Sequence, residues 1–280
     1  MTSRRKFITR TATTLGAITI VPAHVLFAKS EIRDTEGNII KNASVAPSDK
    51  VNLACVGIGN QGGSDVMSLF NSGLCNIVAL CGPDMGAPHT KKVLDKFPDV
   101  PRFQDFRVMF DKMAKEIDAV FVGVPDHSHF PITMLAMSLG KHVYVEKPMG
   151  RTFNEVELMT KGAKKYNVVT QMGNQGHATD GIRRVKEWVD AGITGDVKEV
   201  FAWFDGPEFG PTKYFQKPDQ FPPSAEAIPD CLDWDLWLGP AANRPYNHVY
   251  APKTWRGFYD FGNGELGLSL IHISEPTRPY

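Results

Sequence analysis

The chain has 280 residues, 42% hydrophobic and 22% charged, an ordinary globular composition with room for one large or two medium domains. The formal net charge is zero, which leaves no basic footprint for nucleic acid. That balance hides an asymmetry. Arg4, Arg5, Lys6 and Arg10 are the only charges before residue 29, and without them the 31 Lys and Arg become 27 against 31 Asp and Glu, a mildly acidic remainder that suits small-molecule chemistry.

The first element is Ser3-Arg4-Arg5-Lys6-Phe7-Ile8, a twin-arginine pattern. The apolar stretch Ala12 to Val21 behind it is too short and too rich in Thr for a membrane span. Residues 1–28 therefore read as a twin-arginine signal peptide, with Ala23 and Ala28 both open as the cleavage point. Export to the periplasm is expected, with the membrane met only in transit. Residues 29–50 are polar and read as a linker.

The next stretch organises the rest. An apolar run from Val51 to Val56 stops at Gly57, and Gly57-Ile58-Gly59-Asn60-Gln61-Gly62 spells G-x-G-x-x-G. The first glycine permits a tight turn out of a buried strand, and the second lets the backbone approach a pyrophosphate. The third lets the following helix pack close, with its N-terminal N–H groups aimed at the phosphates. The motif alone is weak, but here it follows a strand-like run and precedes a helix-like one, Ser64 to Ser72.

Strand-like runs follow at Asn76–Cys81, Asp118–Val124, His142–Glu146 and Val168–Met172. Helix-like runs lie between them at Thr90–Lys96, Phe106–Lys115, Pro131–Leu139 and Asn154–Tyr166, with Gly73 and Gly140 where C-terminal caps belong and a capping box expected at Asn154–Glu157. Continuously apolar strands are buried on both faces, which predicts a Rossmann-type, doubly wound α/β sheet over residues 51–172. After Met172 the character changes. Thr179 to Ala191 reads as an amphipathic helix capped by Gly192, Val197 to Phe204 as a strand, and Asp205 to Lys253 as long Pro-, Gly- and aromatic-rich loops. Residues 173–267 are expected to be part of an α+β domain. The cysteines Cys55, Cys75, Cys81 and Cys231 follow neither a disulfide nor a metal spacing.

Three further stretches narrow the reading. They are Val124-Pro125-Asp126-His127-Ser128-His129, Glu146-Lys147-Pro148 and Gln171-Met172-Gly173-Asn174-Gln175-Gly176-His177, each at the end of an expected strand. In an open parallel sheet ligands bind beyond the carboxyl ends of the strands, so these stretches and the glycine loop should converge on one cleft. With the glycine loop they make the chain resemble the glucose–fructose oxidoreductase / inositol dehydrogenase (Gfo/Idh/MocA) family in its exported branch, over roughly residues 50 to 267. Leu232–Pro240 and Trp255–Gly262 also resemble that branch.

The resemblance implies an enzyme that moves a hydride between NAD or NADP and a sugar, glycoside or cyclic polyol. It implies Lys147 as the catalytic group near the nicotinamide, Glu146 on a cofactor ribose, and Pro148 fixing the turn, for which a cis bond is one option. Cofactor contacts are expected from Gly57, Gly59, Asn60, Gln61, Gly62, Asp84, Pro125, Asp126, His129, Glu146 and Lys147. His129 matches the family's position beside the cofactor, whereas Asp126 stands where an Asn is common. Asn174 and His177 are expected on the substrate side, with Arg256 and Asp260 as weaker candidates that surface ion pairing explains nearly as well. His127 and His129 lack the further ligands a metal site needs, so no metal is expected. The full-length protein is expected to form a homo-oligomer.

One departure concerns the cofactor. Similar proteins end the strand after the glycine loop in C-D-x-D, whereas this chain reads Cys81-Gly82-Pro83-Asp84, which leaves Asp84 as the nearby carboxylate and NAD and NADP both open. An alternative activity is a glycoside hydrolase that oxidises and re-reduces its sugar with a retained NAD. A second departure concerns the end. Leu268-Ser269-Leu270-Ile271-His272-Ile273-Ser274-Glu275-Pro276-Thr277-Arg278 resembles the translation of a transposase-based sequencing adapter. Similar proteins continue after Gly267 with an Asp and then a catalytic His. The expectation is that residues 268–280 are not natural sequence, that His272 is not that His, and that the chain as written is inactive.

Overall fold

The computed structural model describes residues 47–175, 180–199, 201 and 213–268, with the backbone of 32–33 and 39–40. The signal peptide, His177 and residues 269–280 lie outside the described residues. The chain divides into two units, residues 1–44 and 45–280. In the first, Ile32–Arg33 (β1) pairs antiparallel with Ile39–Ile40 (β2), so the expected linker contains a pair of short strands.

The second unit is built on a six-stranded sheet. Its strands are Val51–Val56 (β3), Cys75–Cys81 (β4), Arg102–Phe103 (β5), Ala119–Val122 (β6), His142–Glu146 (β7) and Thr170–Gly173 (β8). Every pairing is parallel, in the order β5-β4-β3-β6-β7-β8. The chain thus starts in the middle, winds to one edge, returns and winds to the other, which is the Rossmann order. The two-residue edge strand β5 was not anticipated; it pairs only Leu80 and Cys81 and has no periodicity of its own.

Helices Asn60–Asn71 (α1), Lys91–Lys96 (α2), Phe106–Met113 (α3), Asp126–Ser138 (α4) and Phe153–Tyr166 (α5) connect the strands. Alternate residues of β3 serve opposite faces. Ala54 and Val56 join a cluster with Met109, Phe110, Ile132 and Met137, while Leu53 and Cys55 join one with Val66, Leu69, Val93 and Phe121. Both faces are dry, and that is why the strand reads as an unbroken apolar run.

Three helix starts differ from expectation: α1 begins at Asn60, four residues before Ser64, and the other two are those of α4 and α5. The structure begins α4 at Asp126 rather than Pro131, so Pro131 lies inside the helix. Proline at the sixth helical position has no N–H to give the His127 carbonyl one turn back, so that bond of the ladder is absent. The capping box of α5 is Thr152 with Glu155, two residues earlier than Asn154–Glu157: the Thr152 hydroxyl accepts from the Glu155 N–H and Glu155 accepts from the Thr152 N–H.

Beyond the sheet, Asp180–Asp190 (α6) is the expected amphipathic helix, with Gly192 at φ +72°; Ile182, Val185, Trp188 and Val189 are exposed. Residues 197–199 and 201 form no strand, and the rest of the expected Val197–Phe204 strand lies outside the described residues. Residues 213–268 carry Trp234–Leu238 (α7) and Gly264–Leu268 (α8) around an aromatic cluster. Trp234 stacks on Trp237 at 4.8 Å, and Phe261 meets Trp237 edge-on at 4.9 Å. Among the described residues no helix is long and apolar enough to cross a membrane.

Candidate active site

The glycine loop is built by exclusion. Gly57 has φ +85°, and a Cβ on it would fall under 3.0 Å from the carbonyl of Gly123 on the neighbouring strand end. A Cβ on Gly62 would collide with the carbonyl of Gly57, so the third glycine sets the approach of α1 to β3. No side chain caps α1 and its first turn holds no acid, so no carboxylate competes there for the place a phosphate would take. Gly59 differs from the simple reading of the motif: the space its Cβ would take is held by the ring of His89.

His89 was not singled out in the sequence. Its Nε2 lies 2.5 Å from Oδ2 of Asp84, the acid just beyond β4. Asp84 therefore sits beside the glycine loop, tied to a ring that rests on Gly59. Both line a cavity of about 170 Å³ closed on the other side by Leu232, Trp237 and Tyr246. The only sequence signal for His89 was its distance from Asp84, five residues along a loop, which says nothing of direction.

At the end of β6, Pro125 is the N-cap of α4 and Asp126 is 1% exposed. Its carboxylate accepts from the Asn263 N–H at 3.0 Å and lies 3.5 Å from the Arg256 guanidinium. Burial raises the Asp126 carboxyl, against the pull of His129, Arg256 and Lys147. Arg256 is itself buried, which lowers it despite Asp126, and packs 4.2 Å over Trp255. Both residues thus belong to one buried group of charges. Asp260, the other weak candidate, instead pairs with Arg244 and is half exposed.

The two histidines of α4 hold chain segments together. His127 Nε2 donates to the carbonyl of Trp237 at 2.9 Å, and its ring lies 5.2 Å from both Trp237 and Phe261. Burial pushes this imidazole down to about 4. His129 spans the carbonyls of Val124 and Pro148, each at 2.7 Å, which ties the end of β6 to the turn after β7. Both rings are thus engaged with carbonyl oxygens, and among the described residues no group of three or more His, Cys, Asp or Glu is placed to hold a metal.

That turn carries Glu146 and Lys147, and the Lys147–Pro148 bond is cis. Glu146 is buried and accepts from Gln175 Nε2 at 2.7 Å. Lys147 Nζ donates to the carbonyl of Leu268 at 2.7 Å. Burial, then the neighbouring Arg256, push the ammonium down, while Glu146, Asp126 and Asp65 pull it back. Asn174 follows β8, its N–H donating to the Met172 carbonyl at 3.0 Å, so its backbone turns back on the strand. Gln61 bonds Asp65 at 2.9 Å, while Asn60 opens α1 with φ +46°.

These positions fit a dinucleotide: a loop in which a Cβ on Gly57 or Gly62 would meet backbone and one on Gly59 the His89 ring, an uncapped helix N-terminus beside it, and an acid beyond the second strand. The comparisons agree. Residues 51–174 match the model of the oxidoreductase family with an NAD-binding Rossmann fold, and residues 181–278 match that of its C-terminal alpha/beta domain. The chain belongs to the Gfo/Idh/MocA family. Among its relatives are the D-xylose 1-dehydrogenase [NADP(+)] of Haloarcula marismortui, 24% identical over 70% of this chain and 53% of that one, and a glycosyl hydrolase family 109 protein of Saccharopolyspora erythraea, 26% identical over 61% and 38%. The myo-inositol 2-dehydrogenase structure from Lactobacillus plantarum is 29% identical, covering 53% of this chain and 43% of that one with a TM-score of 0.48. The chain spans about half the length, or less, of such curated relatives.

Proposed function

We propose that this chain is the cofactor-binding part of an NAD(P)-dependent oxidoreductase acting on a hydroxyl of a sugar, glycoside or cyclic polyol. The observation that carries the reading is the meeting of Lys147, Glu146, Asp126 and Arg256 at the carboxyl ends of β6 and β7, in the same crevice as the glycine loop. When bound, the nicotinamide supplies a two-electron hydride acceptor or donor. The residues supply the rest. Lys147 holds the reacting hydroxyl and takes its proton at Nζ, helped by burial that weakens its grip on its own proton. The Leu268 carbonyl on Nζ occupies the place such an oxygen would take. Arg256 and Asp126 fix the charge around Lys147, and Gly57 to Gly62 with Asp84 hold the diphosphate and ribose.

Relatives named for sugar chemistry support the substrate class: besides the D-xylose enzyme, a levoglucosan dehydrogenase of Pseudarthrobacter phenanthrenivorans is 26% identical over 43% of this chain. Several relatives named glycosyl hydrolase family 109 favour a second reading, a hydrolase that retains its NAD. Export through Arg4 and Arg5 to the periplasm is part of the proposal and suits a tightly held cofactor, as is homo-oligomerisation of the full-length protein. The test is a polyol and glycoside screen of the full-length natural protein with NAD and NADP. Reduced nicotinamide accumulating with a polyol supports the oxidoreductase, glycoside cleavage with no net change in redox state supports the hydrolase, and no nucleotide binding at all refutes both.

A further inference from the structure

Asp65 lies on the first turns of α1, one turn after Gln61, and sequence spacing gave it no role. Its Oδ1 accepts from Gln61 Nε2 at 2.9 Å. Its Oδ2 is buried and no donor reaches it. What its carboxyl does meet, in hydrogen-bonding contact, is the carboxyl of Glu146. Glu146 in turn is only 6% exposed and accepts from Gln175 at 2.7 Å, and it presses against bare Gly173, where a Cβ would have no room. Two carboxyl groups in contact, each already accepting from an amide, cannot both carry charge in a dry site. One proton shared between them removes the repulsion and supplies the missing donor.

We propose that Asp65 is held as the neutral acid and donates its proton to the Glu146 carboxylate, acting as a positioning residue that aims Glu146 at the cofactor. This rests on the dinucleotide reading for what Glu146 is aimed at, but the acid pair itself does not. The groups facing the pair are Gln61 from α1, Tyr144 and Lys147 from β7 and its turn, Gln175 after β8, and Arg256. Tyr144 is pushed up by burial and by both acids, so it stays neutral and leaves Lys147 and Arg256 as the counter-charges. Glu146, an assigned contact of the ribose in the family reading, thereby gains a partner on the glycine-loop helix, which links the two halves of the crevice through one proton.

The consequence is a pH dependence. Burial and then Glu146 raise Asp65 to about 7, far above its ordinary carboxylate value. In the unfolded chain the group ionises near pH 4, so between about pH 4 and 7 the folded state holds a proton that the unfolded state has lost. Stability from this group is therefore full at low pH and falls as pH rises towards 7. Asparagine at position 65 is the shape of the neutral acid: its oxygen still accepts from Gln61 and its amide donates to Glu146, and it cannot ionise.

The experiment measures thermal unfolding of the ligand-free chain from pH 5 to 8 for wild type, Asp65→Asn, Asp65→Ala and Glu146→Gln, with NAD and NADP titrated into each at pH 6 and 8. Contributions from other groups are common to the set and cancel in differences. The expected result is that Asp65→Asn gains about 5 °C on wild type between pH 5 and 8. Wild-type nucleotide affinity should weaken several-fold over pH 6 to 8, Asp65→Asn should bind without that pH dependence, and Asp65→Ala should bind weakly at both. Parallel pH profiles for wild type and Asp65→Asn overturn the proposal. If Asp65→Asn does not fold, Glu146→Gln decides: with the second carboxylate gone and burial still raising Asp65, its slope should be shallower than that of wild type, and an unchanged slope overturns the pair. A wild type that binds neither nucleotide but differs from Asp65→Asn in its pH profile sinks the dinucleotide reading and leaves the acid pair standing.

Discussion

The glycine loop and the Glu146–Lys147–Pro148 turn follow strands β3 and β7, with β6 between them, yet they are made of different materials. The loop is backbone and empty space: Gly57 and Gly62 face carbonyl oxygens, and no charged side chain caps the helix that follows. The turn is side chains in a dry setting: Glu146, Lys147, Asp126 and Arg256 perturb one another through low-dielectric contacts. The first region should therefore be sensitive to volume and indifferent to charge, and the second the reverse.

The largest effect should come from the second region. Lys147→Ala in the full-length natural protein should lower turnover by roughly two to four orders of magnitude, the range of a positioned acid–base group, while nucleotide binding survives. Undiminished turnover would take Lys147 out of the mechanism. In the first region, Gly59→Val adds volume without charge against the His89 ring. Nucleotide affinity should fall by about 100-fold, the scale of an overpacked contact of a few kcal/mol, read by direct titration. Unchanged affinity would mean the loop is only a turn.

A pH measurement separates the regions further. Burial depresses His127 to about 4 from an ordinary 6.5, so the unfolded chain binds more protons between those values. The stability this ring contributes is full above about pH 6.5 and is lost as pH falls towards 4, at most about 3 kcal/mol. Acid unfolding should be shallower for His127→Gln than for wild type; identical slopes would show that the ring does not titrate abnormally. The smallest effect tests the border between the regions. Gly82→Asp places a carboxylate where a Cβ would lie 3.2 Å from Asp84 Oδ1. An added acid accepts from a ribose 2′-hydroxyl and repels a 2′-phosphate, so the preference for NAD over NADP should rise about tenfold. Equal preference in the two proteins would show that position 82 faces away from the ribose.

Much of this was legible because it is local. The parallel sheet follows from apolar runs of strand length alternating with helical runs, and the loop from glycine spacing after a strand. Helix starts were less legible. Pro131 reads as a beginning, but with Pro125 at the N-cap the chain had already entered α4, because Asp126 finds partners in Asn263 and Arg256. The sequence weighs His127 only as a metal ligand without companions, and its ring bonds the carbonyl of Trp237, 110 residues away.

What the sequence determined by itself, then, is the doubly wound sheet, the glycine loop and the strand ends at which chemistry gathers, since each depends on periodicity or on steric limits within a few residues. What the tertiary structure decided is which side chains meet there. Asp65 and Glu146 are far apart in the chain, and Asp84 is tied to the glycine loop through His89. Their properties come from burial and from through-space partners, and no spacing along a chain encodes either.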